Sequence, residues 1–291
     1  MTLNDWKAKG IYFNYTSQSI FTVDEGKGEV VLLIHGFPTS SWDWAQVWEP
    51  LRVHYRLVAL DLLGFGFSDK PRNYPYSIVD QADLVEQFLF ENGIASVKIM
   101  SHDYGDTVAQ ELLARYNTRI KSGQKGIEIS HLCLLNGGLF PETHRPLFIQ
   151  RLLMSPLGSL ASSFFTRKKL AKNFKNIFGS YTQPSESQLD DYWALMELNG
   201  GKYVFHLLIR YMQERKTYRN RWLEALQEST IPIRLINGLA DPISGEHMVK
   251  RYRQLIPNPD VVELPQIGHF PLVEAPIDVV KHFLAFVKIE A

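Results

Sequence analysis

The sequence predicts an α/β chain, a mostly parallel sheet flanked by helices, with a helical segment inserted into it. Three observations carry that expectation. Short runs of β-branched and leucine residues end abruptly in glycine- or proline-bearing loops, as buried parallel strands do. These runs alternate with stretches of helical spacing, the order that lays helices over both faces of a parallel sheet. The alternation breaks once, over residues 137–228, which are helix-prone, aromatic and without convincing strands. The expected division is therefore a sheet domain from 1–136 and 229–291 and a helical cap over 137–228.

The elements follow in order. Ile11–Tyr15 and Ile20–Val23 flank polar turn residues and read as a hairpin. Val30–Ile34 is a continuous apolar run that stops at His35-Gly36-Phe37-Pro38, and Arg56–Leu60 stops at Asp61 and a glycine-broken loop. Helical spacing runs over Val79–Asn92 and ends at Gly93. Val97–Met100 leads straight into Ser101-His102-Asp103-Tyr104-Gly105 and a helix over Asp106–Tyr116. Beyond Ile129–Leu135 comes the insert, and the strands resume at Ile231–Ile236 and Val261–Leu264 before a final helix over Ile277–Val287.

Composition narrows the function classes. The 291 residues are 45% hydrophobic, which suits a packed core and excludes disordered and fibrous chains. Lys and Arg number 31 against 31 Asp and Glu, so no global field draws the chain to nucleic acid, and no nucleic-acid partner is expected. The insert alone holds 13 Lys and Arg against 8 Asp and Glu, much of the excess in Arg167-Lys168-Lys169, Lys172 and Lys175. A solvated helix face explains most such runs, and contact with anionic lipid or substrate is the rival reading. The single Cys133, in an apolar run, reads as a core residue. No signal peptide and no apolar stretch of ~18 residues is visible, so a cytoplasmic chain without a transmembrane segment is expected. The partner expected is a small-molecule substrate; oligomeric state is open.

The chemistry gathers at the strand ends. Ser101-His102-Asp103-Tyr104-Gly105 has small residues two before and two after its centre, the sequence form of a nucleophile elbow. Its central residue is a carboxylate, which the following helix N-terminus keeps ionised. Asp241 follows the next strand but one, and His269 the strand after that. The chain order nucleophile, acid, histidine is that of a hydrolase triad on this kind of sheet. The backbone N–H groups of Phe37 and Tyr104 are the expected oxyanion donors. Gly64-Phe65-Gly66 lacks a third glycine, no Walker lysine occurs, and the nine histidines show no metal-ligand spacing, so neither cofactor nor metal is expected.

With those motifs placed, the chain resembles the α/β-hydrolase superfamily over its full length. In using Asp103 it is similar to the epoxide hydrolase and haloalkane dehalogenase branch. A narrower resemblance, to one group within the superfamily, rests on His35–Trp44, Asp61–Pro71, Ser101–Asp106, Asn136–Pro146 and, in the insert, Tyr181–Ser187. The resemblance implies a cis Phe37-Pro38 bond and a covalent mechanism: Asp103 attacks carbon, and His269, held by Asp241, activates the water that frees it. Dehalogenases of this branch hold halide with an Asn after the His-Gly pair and a Trp after the nucleophile. This chain has Phe37 and Tyr104 there. Epoxide hydrolases use two cap tyrosines as acids. Tyr211 aligns with one, while the segment aligning with the other, Pro146-Leu147-Phe148-Ile149, has no Tyr, and Tyr181 is the substitute candidate. Epoxide opening on a small apolar substrate is the favoured expectation. A dehalogenase, another hydrolase with the same triad, and a catalytically silent ligand-binding or scaffold protein are the alternatives.

Overall fold

The structure is a computed structural model that describes residues 1–288. Eight strands, β1 (Ile11–Tyr15), β2 (Gln18–Glu25), β3 (Val30–Ile34), β4 (Arg56–Leu60), β5 (Ser96–His102), β6 (Glu128–Leu135), β7 (Ile233–Gly238) and β8 (Asp260–Leu264), form one sheet. Its order is β1-β2-β4-β3-β5-β6-β7-β8. β1, β2 and β4 pair antiparallel at one edge, and every other neighbouring pair is parallel. The mostly parallel sheet expected from the sequence is present.

The central strands read as nearly continuous apolar runs because both faces are covered. β3 is buried along its whole length. The helices Ile78–Glu91 and Tyr104–Ser122 pack side by side on the sheet. The first starts at Ser77, whose hydroxyl accepts from the Asp80 amide at 3.0 Å. The second ends at Gly123, whose φ of 66° is the left-handed conformation glycine adopts without a Cβ clash. It runs from Tyr104 rather than Asp106 and continues past Tyr116, since nothing in that stretch breaks a helix before Gly123.

Between β6 and β7 the described residues form helices and tight helical turns, with no strand. The last of these helices, Arg219–Gln227, packs on the sheet-flanking helix Tyr104–Ser122. Glu111 clamps it there, accepting from Trp222 Nε1 at 2.8 Å and from Arg221 Nε at 2.9 Å. So the last helix of the insert packs on a helix of the sheet domain. Register sets the site: Ile34 lies beside Ser101, Leu135 beside His102 and Ile236, and Gly238 beside Leu264. The parallel strands thus end nearly level, and the loops leaving them converge on one crevice.

Candidate active site

Asp103 stands between β5 and the helix Tyr104–Ser122 with φ 47° and ψ −101°, a conformation that non-glycine residues adopt at a cost of order 1–3 kcal/mol. The chain turns tightly enough that neighbours must be small. A Cβ on Gly105 would meet the Ile34 carbonyl oxygen at 2.2 Å, and one on Gly36 would meet His102 Nδ1 at 2.7 Å. Phe37-Pro38 is cis. The Phe37 amide donates to Asp103 Oδ2 at 3.2 Å. Tyr104 occupies the first helical position, where an amide has no intrahelical acceptor. Both backbone donors expected from the sequence therefore lie at the elbow.

His269, in the loop after β8, puts Nδ1 2.7 Å from Asp241 Oδ2 and Nε2 4.0 Å from Asp103 Oδ2. The second separation exceeds a hydrogen bond and is wide enough for one water, ~2.8 Å from each atom, to fit between them. Asp241 also accepts from Asn136 Nδ2 at 3.0 Å, the Ile243 amide at 2.8 Å, and the Ser244 amide and hydroxyl at 3.2 and 2.7 Å. Burial would raise the Asp241 carboxyl, but the His269 charge and these bonds win and hold it down at about 2. Burial likewise opposes charge on His269. The facing Asp241, then Asp103 and Glu274, overcome it and raise the imidazole to about 9.

Sequence reading missed four residues that set this geometry. Asn136, at φ 44°, holds β7 by accepting from the Gly238 amide at 2.7 Å while it donates to Asp241. His102 Nε2 donates to the His269 carbonyl at 2.8 Å, and burial keeps that ring down at about 4, hence neutral. Glu274 accepts from the Gly268 and Phe270 amides, both at 2.9 Å, bracketing His269, and from Gly179 of the insert at 2.7 Å. Arg215, buried, donates through Nη2 to the Asp103 carbonyl at 3.0 Å and through Nε to Thr107 Oγ1 at 2.8 Å, with Nη2 3.7 Å from Asp103 Oδ1. Asn136 lay inside a quoted motif, and His102 inside the elbow. Glu274 and Arg215 carried no signal, because their partners are 90 or more residues away or are backbone atoms.

Asp103 and His269 open onto a narrow cleft with about 60 Å³ of free volume. Phe37 and Pro38 form its floor with them, and Leu153, Phe165, Leu170, Phe174 and Phe205 line it from the helical segment, with Gln150 and Asn173 as polar groups. Neither tyrosine candidate is on that wall. Tyr211 is buried against Tyr104, with ring centroids 4.9 Å apart, and the Arg215 guanidinium lies 4.5 Å over its ring. Tyr181 is 81% exposed, in the loop after the helix Arg167–Ile177. A loop residue with its ring in solvent is not in position to give a proton to a group in the cleft.

Comparison with known proteins agrees with the geometry. Residues 29–123 match the family of the alpha/beta hydrolase fold. The chain is 43% identical to mesoderm-specific transcript protein of Mus musculus, over 98% of this chain and 88% of that one, which is the narrower resemblance drawn from the motifs. It is 35% identical to putative hydrolase LipZ of Mycobacterium tuberculosis, over 94% of each. Among solved structures, the epoxide hydrolase CorEH superposes with a TM-score of 0.78 at 20% identity, over 96% of this chain and 98% of that one. On sheet order, strand-end site and sequence identity together, the chain belongs to the α/β-hydrolase family.

Proposed function

We propose that this hydrolase-family protein works through a covalent ester on Asp103, with the helical segment 137–228 as a cap and an apolar epoxide as the favoured substrate. The observation that supports this most is the placement of the two Asp103 oxygens. Oδ2 already accepts the Phe37 amide, which suits it to become the carbonyl oxygen of an ester. Oδ1 is left to attack. It forms a bond to a ring carbon, the ring C–O bond breaks, and the freed oxygen takes a proton from solvent. Water then adds to the Asp103 carboxyl carbon while His269 takes its proton, and the bond from that carbon to Oδ1 breaks as the departing oxygen takes the proton back from His269. The product leaves with Oδ1, and one water oxygen stays on Asp103.

The charge on His269 changes at the right moment. Part of its upward shift comes from Asp103, and esterification removes that negative charge, so the imidazole gives up its proton more readily in the ester. A base is then available where water must be activated. The cap offers amides rather than tyrosine hydroxyls, since Gln150 and Asn173 face the cleft. That favours a second reading, in which these donors hold a departing halide and the protein is a dehalogenase.

One turnover in ¹⁸O-water, on a substrate found by screening epoxides, haloalkanes and esters, tests the ester. Label is expected in Asp103 and absent from product. Label appearing first in product means that water attacks directly and defeats the covalent reading. An absence of turnover across the panel favours a silent binding protein.

A further inference from the structure

The outer face of the segment that walls the cleft differs from the rest of the surface. From residue 143 to residue 185 the chain has no Asp or Glu and seven Lys or Arg. Within it the short helices Phe148–Met154 and Gly158–Ser163 pack against each other. Five exposed apolar residues lie on them: Phe148 and Met154 on the first, and Leu157, Leu160 and Phe164, at helical spacing, along and just beside the second. Phe148 is 79% and Phe164 63% exposed. Single exposed apolar side chains are ordinary, but five on two adjoining helices call for a partner.

Cations border these residues. Arg151 lies between Phe148 and Met154 in sequence and is exposed. Lys169 Nζ donates to the Phe164 carbonyl at 2.8 Å. Arg167 and Lys175 are tied to Glu186 and Asp190, whereas Arg151, Lys168 and Lys172 form no ion pair among the described residues. An apolar face bordered by cations, of which Arg151, Lys168 and Lys172 have no acidic partner among the described residues, complements a bilayer whose headgroups are anionic. The same charge disfavours a second copy, because two cationic faces repel. No described helix is long and apolar enough to cross a membrane, so the contact is peripheral.

We propose that this face docks on an anionic lipid surface, with Phe148, Leu160 and Phe164 at the headgroup–acyl boundary and the lysines on the headgroups. The inference stands apart from the reaction at Asp103. The two meet in one respect: Leu153, on the inner side of the first helix, lines the cleft. An apolar substrate dissolved in the bilayer thus lies one helix diameter, about 10 Å, from the site.

The test is sedimentation of the full chain with phosphatidylcholine vesicles, with and without a phosphatidylserine fraction, at low and high salt. Binding is expected only with phosphatidylserine and is expected to fall with salt. The double variants Phe148→Ser with Phe164→Ser, and Lys168→Glu with Lys172→Glu, should each weaken it about tenfold or more. Their circular dichroism and melting should match the parent, since all four side chains are exposed. Failure to sediment with phosphatidylserine vesicles overturns the proposal, as does equal binding by the variants or by neutral vesicles. A lipid-free dimer that the Phe148→Ser, Phe164→Ser variant dissolves assigns the face to a second copy instead.

Discussion

The two walls of the cleft are built on opposite principles. On the strand-end side the two carboxylates that hold the histidine loop are heavily bonded: Asp241 accepts five hydrogen bonds and Glu274 four. On the helical side the wall is mostly Phe and Leu, with two side-chain amides. A buried carboxylate is stable only when fully bonded, so the first wall tolerates one arrangement. Apolar side chains of similar volume exchange at modest cost, so the second wall tolerates many. Under the proposed function, reaction type belongs to the rigid polar wall and substrate choice to the apolar one.

Substitutions on the polar wall should break that division hardest. Asp103→Asn is expected to lower kcat by at least about 10⁴-fold with the melting temperature little changed, because the shape of the elbow is kept. Retained turnover would place the nucleophile elsewhere. Next, His269→Gln should leave the first step intact and stop the second, so that a substrate-sized mass accumulates on the peptide carrying Asp103. An unmodified peptide, with a substrate the parent turns over, sinks the division of labour between the two residues.

The unequal legibility of the two walls follows from the same contrast. Asp103, Asp241 and His269 could be read from sequence because each follows a strand, and an elbow restricts the residues two places to either side of it. The cis Phe37-Pro38 bond was expected from the resemblance alone and is present. Tyr181 and Tyr211 could not be placed, because which side of a short helix or loop faces a cleft depends on how several helices pack, and aromatic residues suit core and cavity alike. Arg215 escaped for a different reason: its acceptors are a backbone carbonyl and a threonine hydroxyl, neither of which leaves a pattern.

Arg215 links the two walls, and its removal should cost stability before it costs chemistry. Arg215→Leu leaves the Asp103 carbonyl and Thr107 hydroxyl without their donor and removes one of the two cations near the Asp103 carboxylate, the other being His269. The expected loss is about 2–4 kcal/mol, read by denaturant unfolding. A variant as stable as the parent would mean that the guanidinium merely fills space.

The His269–Asp241 pair gives a smaller effect with a defined sign. A group raised from 6.5 to about 9 on folding stabilises fully below 6.5, and that contribution fades as pH rises through 9. A carboxyl lowered from 3.8 to about 2 stabilises fully above 3.8, and that contribution fades as pH falls through 2. Both are present together only between 3.8 and 6.5. The melting difference between parent and His269→Gln should therefore be widest in that window and narrow above pH 9. A difference that is constant with pH means the pair is not charged in the folded protein.

The smallest expected effect sharpens the comparison from the apolar side. Tyr181 sits in a loop tied down by its neighbours, with Thr182 Oγ1 donating to Glu274 at 2.5 Å and Gln183 Nε2 to the Gly179 carbonyl at 2.9 Å. Its own ring is in solvent, so swinging it into the cleft would require breaking bonds that also anchor the His269 loop. Tyr181→Phe should then leave kcat and KM within about twofold, as surface changes usually do. A kcat loss of tenfold or more at unchanged melting temperature would mean that the loop closes over bound substrate and brings the hydroxyl in. The proton for the opened ring would then come from the cap after all.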